Sequence, residues 1–282
     1  MKSIIQSKTF DEERSLYNIK DAKIINCSFK GSTDGESPLK EARDIVVINS
    51  DFSLRYPIWH TIKFTIEESR FDTSSRAPIW YGKEGNIKKT KINSIKCLRN
   101  CENIEVDDCE ISSEEAGWMS DNIKINNSTI SGDYLFLKSN NIDINNSQLI
   151  GKYGLQYMKN VRINHSTLDT KDAFWHSENV IVSDSDINGA YLGWYSKNLT
   201  LINCNIKGTQ PFCYCENLIM IHCTMDGCDL AFEYSAVDAD IKGNILSVKN
   251  PKSGYIRADF IGDIILTDSI MDSTAIINTT KK

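Results

Sequence analysis

Apolar and polar positions alternate along this chain in short bursts that return every 19 residues. Residues 122–140 read NIKINNSTISGDYLFLKSN, and Asn122 can be counted as position 0. Ile123, Ile125 and Ile130 then stand at positions 1, 3 and 8, with the small Ser128 at position 6. The same frame begins again at Asn103, Asn141, Asn160, Asn179, Asn198 and Asn217, each followed by Ile, Val or Leu. Alternation at positions 1 and 3 predicts a half-buried strand, and no stretch carries a helical period. Position 5 holds Asp108, Asn127, Asn146, Asp184 and Asn203. Asn and Asp tolerate left-handed backbone, so this column predicts a tight corner repeated up a stack.

A fixed period of this length marks a solenoid, in which each turn buries its apolar face against its neighbours. Asp21, Asp44, Lys63 and Glu84 extend the frame upstream; Asp238 and Asp263 extend it downstream. The expectation is an all-β fold, a single-stranded parallel β-helix of about 13 coils. One domain covers 1–282, with 1–18 as an N-terminal cap, 19–273 as coils and 274–282 as a C-terminal tail. Leucine-rich repeats, the competing solenoid, need a longer unit with a second apolar arm, whereas here the second half of each unit is aromatic and polar.

That second half is the informative face. Position 14 carries no charge in any coil (Leu98, Gly117, Phe136, Leu155, Phe174) and is expected to point inward. Position 15 holds all five tryptophans, Trp59, Trp80, Trp118, Trp175 and Trp194, together with Lys40, Arg99, Gln156 and Glu233. Unpaired charge is costly in a core, so this column is expected to point outward. Position 13 is small or rigid (Pro57, Pro78, Ala116, Gly154, Ala173), which predicts a shallow trough beside the tryptophans. Irregular insertions around Ser32–Glu36, Thr73–Arg76, Cys228 and Lys249–Ser253 fall on the same edge. Flat rings interleaved with Arg99, Gln156 and Glu233 suit an extended saccharide; aromatic stacking that only joins coils is the competing reading.

Composition narrows the partners. The net charge is −6 and no Lys/Arg run stands out, which excludes a nucleic-acid backbone as ligand. No segment is apolar enough to span a bilayer, and the first residues contain no apolar export signal. Nine cysteines in such a chain fit reduced thiols in the cytoplasm. The four histidines are too far apart along the ladder to share a metal, so no metal and no cofactor is expected. Asp172, His176 and Glu233 are the acid–base candidates beside the tryptophan column, which leaves a carbohydrate-active lyase or hydrolase as an alternative. A scaffold that self-associates through the aromatic flank is a third.

Several longer stretches, FDEERSLY (10–17), ESPLKEARDI (36–45), YPIWH (56–60), APIWY (77–81), DAFWHSENV (172–180), YLGWYSKNL (191–199), GTQPFCYCENL (208–218) and DLAFEYS (229–235), resemble the bacterial domain-of-unknown-function 3737 family. The likeness spans nearly the whole chain. It implies a right-handed parallel β-helix, pectin-lyase-like in shape, and carries no activity, cofactor or catalytic residue with it.

Overall fold

The computed structural model describes residues 2–31 and 35–280, so Ser32–Asp34 of the first expected insertion lie outside the described residues. The fold is all-β, a parallel β-solenoid with turns of about 19 residues. Among the described residues the one helical turn is Thr73–Ser75, started by the Asp72 carboxylate accepting from the Ser74 amide. Two compact units make up the chain, Met1–Ser147 and Gln148–Lys282.

In the first unit a strand recurs at the start of every coil, among them Arg43–Ile48, Ile62–Glu67, Glu102–Asp107 and Asp121–Asn126. Pairing is parallel and in register, so like residues stack: Ile104 on Ile123 on Ile142, and Val106 on Ile125 on Ile144. All six are buried. Position 8 adds a ladder of rings, Phe10, Phe29, Phe52 and Phe71, with centroids 5.0, 4.6 and 4.5 Å apart. The expected cap is itself part of the ladder, since Ser3–Gln6 pairs with Ala22–Ile25.

The second unit repeats the scheme through Lys159–Asn164, Glu178–Ser183, Lys197–Ile202 and Glu216–Thr224. Downstream, the frame read from sequence slips. Val237, not Ala239, stacks on Leu218, so the ladder keeps its interval up to Met220 and Ala236 takes position 0; the register shifts only beyond that, between Met220 and Cys223. Asp238 is therefore displaced from position 0. Asp263 likewise lies in Phe260–Ile265, which pairs with Asn244–Lys249, while Ser253–Ala258 continues the first ladder. Ile276–Thr279, within the expected tail, pairs with that strand in turn.

Corners are made by left-handed residues at positions 0 and 5, such as Asn122 (φ 54°) and Asn127 (φ 50°). Their amides also bond along the stack: Asn179 donates to Asn160, Asn198 to Asn179 and Asn217 to Asn198, at 2.9–3.2 Å. Inward-turning backbone at position 6 is satisfied by the hydroxyl of the next coil, as where Cys109 N–H donates to Ser128 Oγ at 3.0 Å. Position 17 repeats this device, with Cys101 N–H on Ser120 Oγ at 2.9 Å. These two columns of small polar residues let a buried backbone turn without leaving an orphaned donor.

Candidate functional site

Position 14 is buried throughout, as its lack of charge requires: Leu98, Phe136, Leu155, Phe174 and Phe212 are each at most 1 % exposed. Where the column holds Gly117 or Gly193, the ring of the following coil, Phe136 or Phe212, occupies the space a side chain would need. From Leu98 onward the backbone here is left-handed whether or not glycine is present, for Phe174 has φ 64° and Leu155 φ 60°.

Position 15 lies half-buried for all five tryptophans. Most polar side chains in this column reach forward along the stack, usually to the residue 16 ahead. Trp118 Nε1 donates to Tyr134 O at 2.6 Å, Trp175 Nε1 to Tyr191 O at 2.6 Å and Trp194 Nε1 to Gln210 O at 2.8 Å. Gln156 Nε2 donates to Asp172 O at 2.9 Å, and Arg99 Nη1 to Glu115 Oε2 at 2.7 Å. Glu233 meets Lys249 at 2.9 Å. Trp80 reaches the Asn100 amide at 3.4 Å, and Trp59 Nε1 is buried without a partner. The column is thus a series of straps, each tying one coil to the next.

The ring faces are occupied too. Lys40 Nζ sits 4.3 Å above Trp59, Trp59 stacks on Trp80 at 5.8 Å, and the Arg99 guanidinium lies 5.1 Å over Trp118. In the second unit Trp175 and Trp194 stack at 5.3 Å, 7° from parallel. Beneath the straps, position 13 is buried, so the expected trough is closed. Gln156 departs from the outward expectation: it is 8 % exposed, folded down by its bond to Asp172 O.

The exposed aromatics stand one residue further on. Position 16 is left-handed (His176 φ 54°, Tyr195 φ 58°), which turns its side chain outward at the corner. In the second unit Tyr157, His176, Tyr195, Tyr214 and Tyr234 form one continuous stack, with centroids 4.9, 4.9, 4.7 and 5.4 Å apart. Tyr157 is 47 % and Tyr195 41 % exposed. Because neighbours cover the faces, solvent meets a ribbon of ring rims and phenolic hydroxyls. In the first unit the same column stacks His60 on Tyr81 at 4.7 Å. The sequence expectation placed binding on the tryptophans; φ > 0 at position 16 is invisible in residue types that rarely adopt it.

The acid–base candidates do not converge. Asp172 is 4 % exposed, and burial raises its carboxyl above the usual range against the opposing Lys171 ammonium at 3.9 Å. His176 is held between the faces of Tyr157 and Tyr195. Glu233 is tied to Lys249. Each has its own partners and no contact is shared among the three. All nine cysteines are unpaired and buried; burial pushes Cys101, Cys213 and Cys228 up to about 12, so they remain thiols at neutral pH. Among the described residues, no three His, Cys, Asp or Glu side chains gather as metal ligands, and no helix is long and apolar enough to cross a membrane.

Concavities of about 510 and 530 Å³ in the first unit lie on other walls, one over Lys63, Thr65 and Glu84, the other over Asp51, Arg70 and Asp72.

In-register parallel coils with aromatic straps at one corner define a β-solenoid with an aromatic flank. The chain belongs to the family described as protein of unknown function DUF3737, whose model matches residues 3–278. The chain is also similar, at low identity, to several solved structures. A surface adhesin of Streptococcus pneumoniae, PfbA, is 10 % identical with TM-score 0.40, covering 94 % of this chain and 90 % of its own. Tailspike protein 3 of bacteriophage CBA120 is 12 % identical with TM-score 0.47, over 98 % of this chain and 55 % of its own. The A-module of the Azotobacter vinelandii mannuronan C-5 epimerase AlgE4 is 8 % identical with TM-score 0.39, over 98 % and 91 %. No curated protein matches in sequence.

Proposed function

We propose that the protein binds an extended saccharide along the aromatic flank of the second unit and does not transform it. The observation that carries this reading is the five-ring stack from Tyr157 to Tyr234, exposed at Tyr157, His176 and Tyr195 and half-buried at Tyr214 and Tyr234, backed by the strapped Trp175 and Trp194. Such rings are already immobilised, so a ligand gains amphipathic contact and hydroxyl hydrogen bonds at little ordering cost. The ligand lies across rims and phenolic oxygens, since no broad ring face is free to stack on a sugar. Want of convergence among Asp172, His176 and Glu233 favours binding over catalysis. Trp59, Trp80, Arg99 and Trp118 form the corresponding, more tightly covered surface of the first unit. Nine buried thiols fit a reducing compartment, and we place the protein in the cytoplasm.

The test is calorimetric titration of the full chain with a panel of soluble glycans. Saturable binding of one glycan class, lost in Tyr195→Ala and retained in Tyr81→Ala, is expected. Failure of every glycan, with a concentration-dependent dimer dissociated by Tyr195→Ala in light scattering, would transfer the same flank to self-association.

A further inference from the structure

A second polar cluster lies on another wall of the second unit, assembled from three successive coils. His222 stands on Glu216–Thr224 at a left-handed corner (φ 55°), Asp240 on Ala236–Lys242 and Arg257 on Ser253–Ala258. Asp240 and Arg257 are register partners. His222 Nδ1 is 3.0 Å from Asp240 Oδ2, while Arg257 donates to Asp240 Oδ1 from Nε at 2.9 Å and Nη2 at 2.7 Å. A carboxylate in this position fixes the proton on Nδ1 and turns Nε2 away from Asp240.

Asp259 is also spent. Its Oδ2 accepts the Gly243 N–H at 3.1 Å, and its Oδ1 accepts the Thr280 hydroxyl at 2.9 Å. Lys242 has no ion-pair partner among the described residues, and neither has Nη1 of Arg257. His222, Asp240, Lys242, Arg257, Asp259 and Thr280 line one concavity of about 250 Å³. Both carboxylates therefore satisfy donors of the protein itself, while the ammonium, the outer guanidinium nitrogen and the imidazole Nε2 are left unspent. That imbalance has a chemical sign. It suits a group rich in acceptors and poor in donors, because each unspent atom can donate once His222 is protonated.

We infer that this concavity is a binding site for a single oxyanion group, a carboxylate or a phosphate, held by Lys242, Arg257 Nη1 and His222 Nε2. Asp240 acts as the positioning residue: it aims the imidazole and the guanidinium from two coils into one space. This inference does not depend on the saccharide reading, since the cluster stands on different strands and different residues from the aromatic flank.

The test is NMR titration of the full chain, with the His222 imidazole and the backbone amides of residues 240–242 and 257–259 as reporters. Inorganic phosphate and acetate are added separately at constant ionic strength in sodium chloride. Expected are shifts that saturate with at least one of the two probes, and an affinity about fivefold weaker in Lys242→Ala. Saturation by phosphate alone names a phosphate ligand; saturation by acetate alone names a carboxylate. Shifts that stay linear with both probes, or that saturate unchanged in Lys242→Ala and in His222→Gln, overturn the site. Lys242 is exposed, so its removal leaves the fold intact, and the spectrum of the variant confirms this directly.

Discussion

Trp175 and His176 are neighbours in sequence, yet the columns they belong to do opposite things. The position-15 column is half-buried, its donors committed to carbonyls of the following coil. The position-16 column is exposed at Tyr157, His176 and Tyr195 and makes few bonds beyond its own stacking, so these rings present their rims to water. Aromatic content alone cannot separate the two. Where each side chain's polar atom is spent does: a tryptophan whose indole N–H is satisfied by its own chain is a tie, and a tyrosine whose hydroxyl faces solvent is a surface.

The comparison can be broken most forcefully at position 14, directly beneath. Phe174→Ala should lower stability by about 3–5 kcal/mol in urea unfolding, because an enclosed ring leaves a cavity that the coils above and below cannot close. At position 15, Trp175→Phe keeps the ring stack and removes the bond to Tyr191 O, and should cost about 1 kcal/mol. An unchanged unfolding midpoint would mean the strap carries nothing. At position 16, Tyr195→Ala should cost less than about 1 kcal/mol while abolishing glycan binding. If it destabilises as much as Phe174→Ala, the two columns are not different in kind.

The smallest effect concerns Asp172, whose carboxyl is raised by burial more than Lys171 lowers it. A raised acid favours the folded state while protonated, and that contribution is lost as pH climbs through its folded value. Asp172→Asn should therefore lose less stability than the parent as pH rises above the ordinary carboxylate range, about 4, read from denaturant midpoints. An identical pH profile would show that the carboxylate is solvated after all.

How much of this was legible beforehand follows from what repeats. Positions 1, 3, 8 and 14 were read correctly as core because burial selects residue type in every coil, as with Ile104, Ile123 and Ile142. Asp238 was misplaced because the ladder's regular step lands on Ala236, a residue without the polar signature of position 0, and Asp263 because pairings beyond the bulge, such as Ala236 with Ser253 and Asn244 with Phe260, no longer keep the interval. The straps stayed hidden for another reason. They link residues 16 apart in a chain whose visible period is 19, and the acceptors are mostly backbone carbonyls, which leave no trace in side-chain identity. Gln156 looked like an outward polar residue for the same cause; only its bond to Asp172 O explains its burial.

Gly117 under Phe136 and Gly193 under Phe212 have a bearing on how such a chain can grow. A coil carrying the glycine is hollow where its successor is overfull, so neither is a complete module. Losing the Phe136 coil alone would leave Gly117 facing Leu155 with its hollow unfilled, whereas losing both coils would bring Leu98 against Leu155. At this place the glycine and its ring pack as one unit of two turns, even though Phe212 on Phe232 shows that the column elsewhere accepts ring on ring.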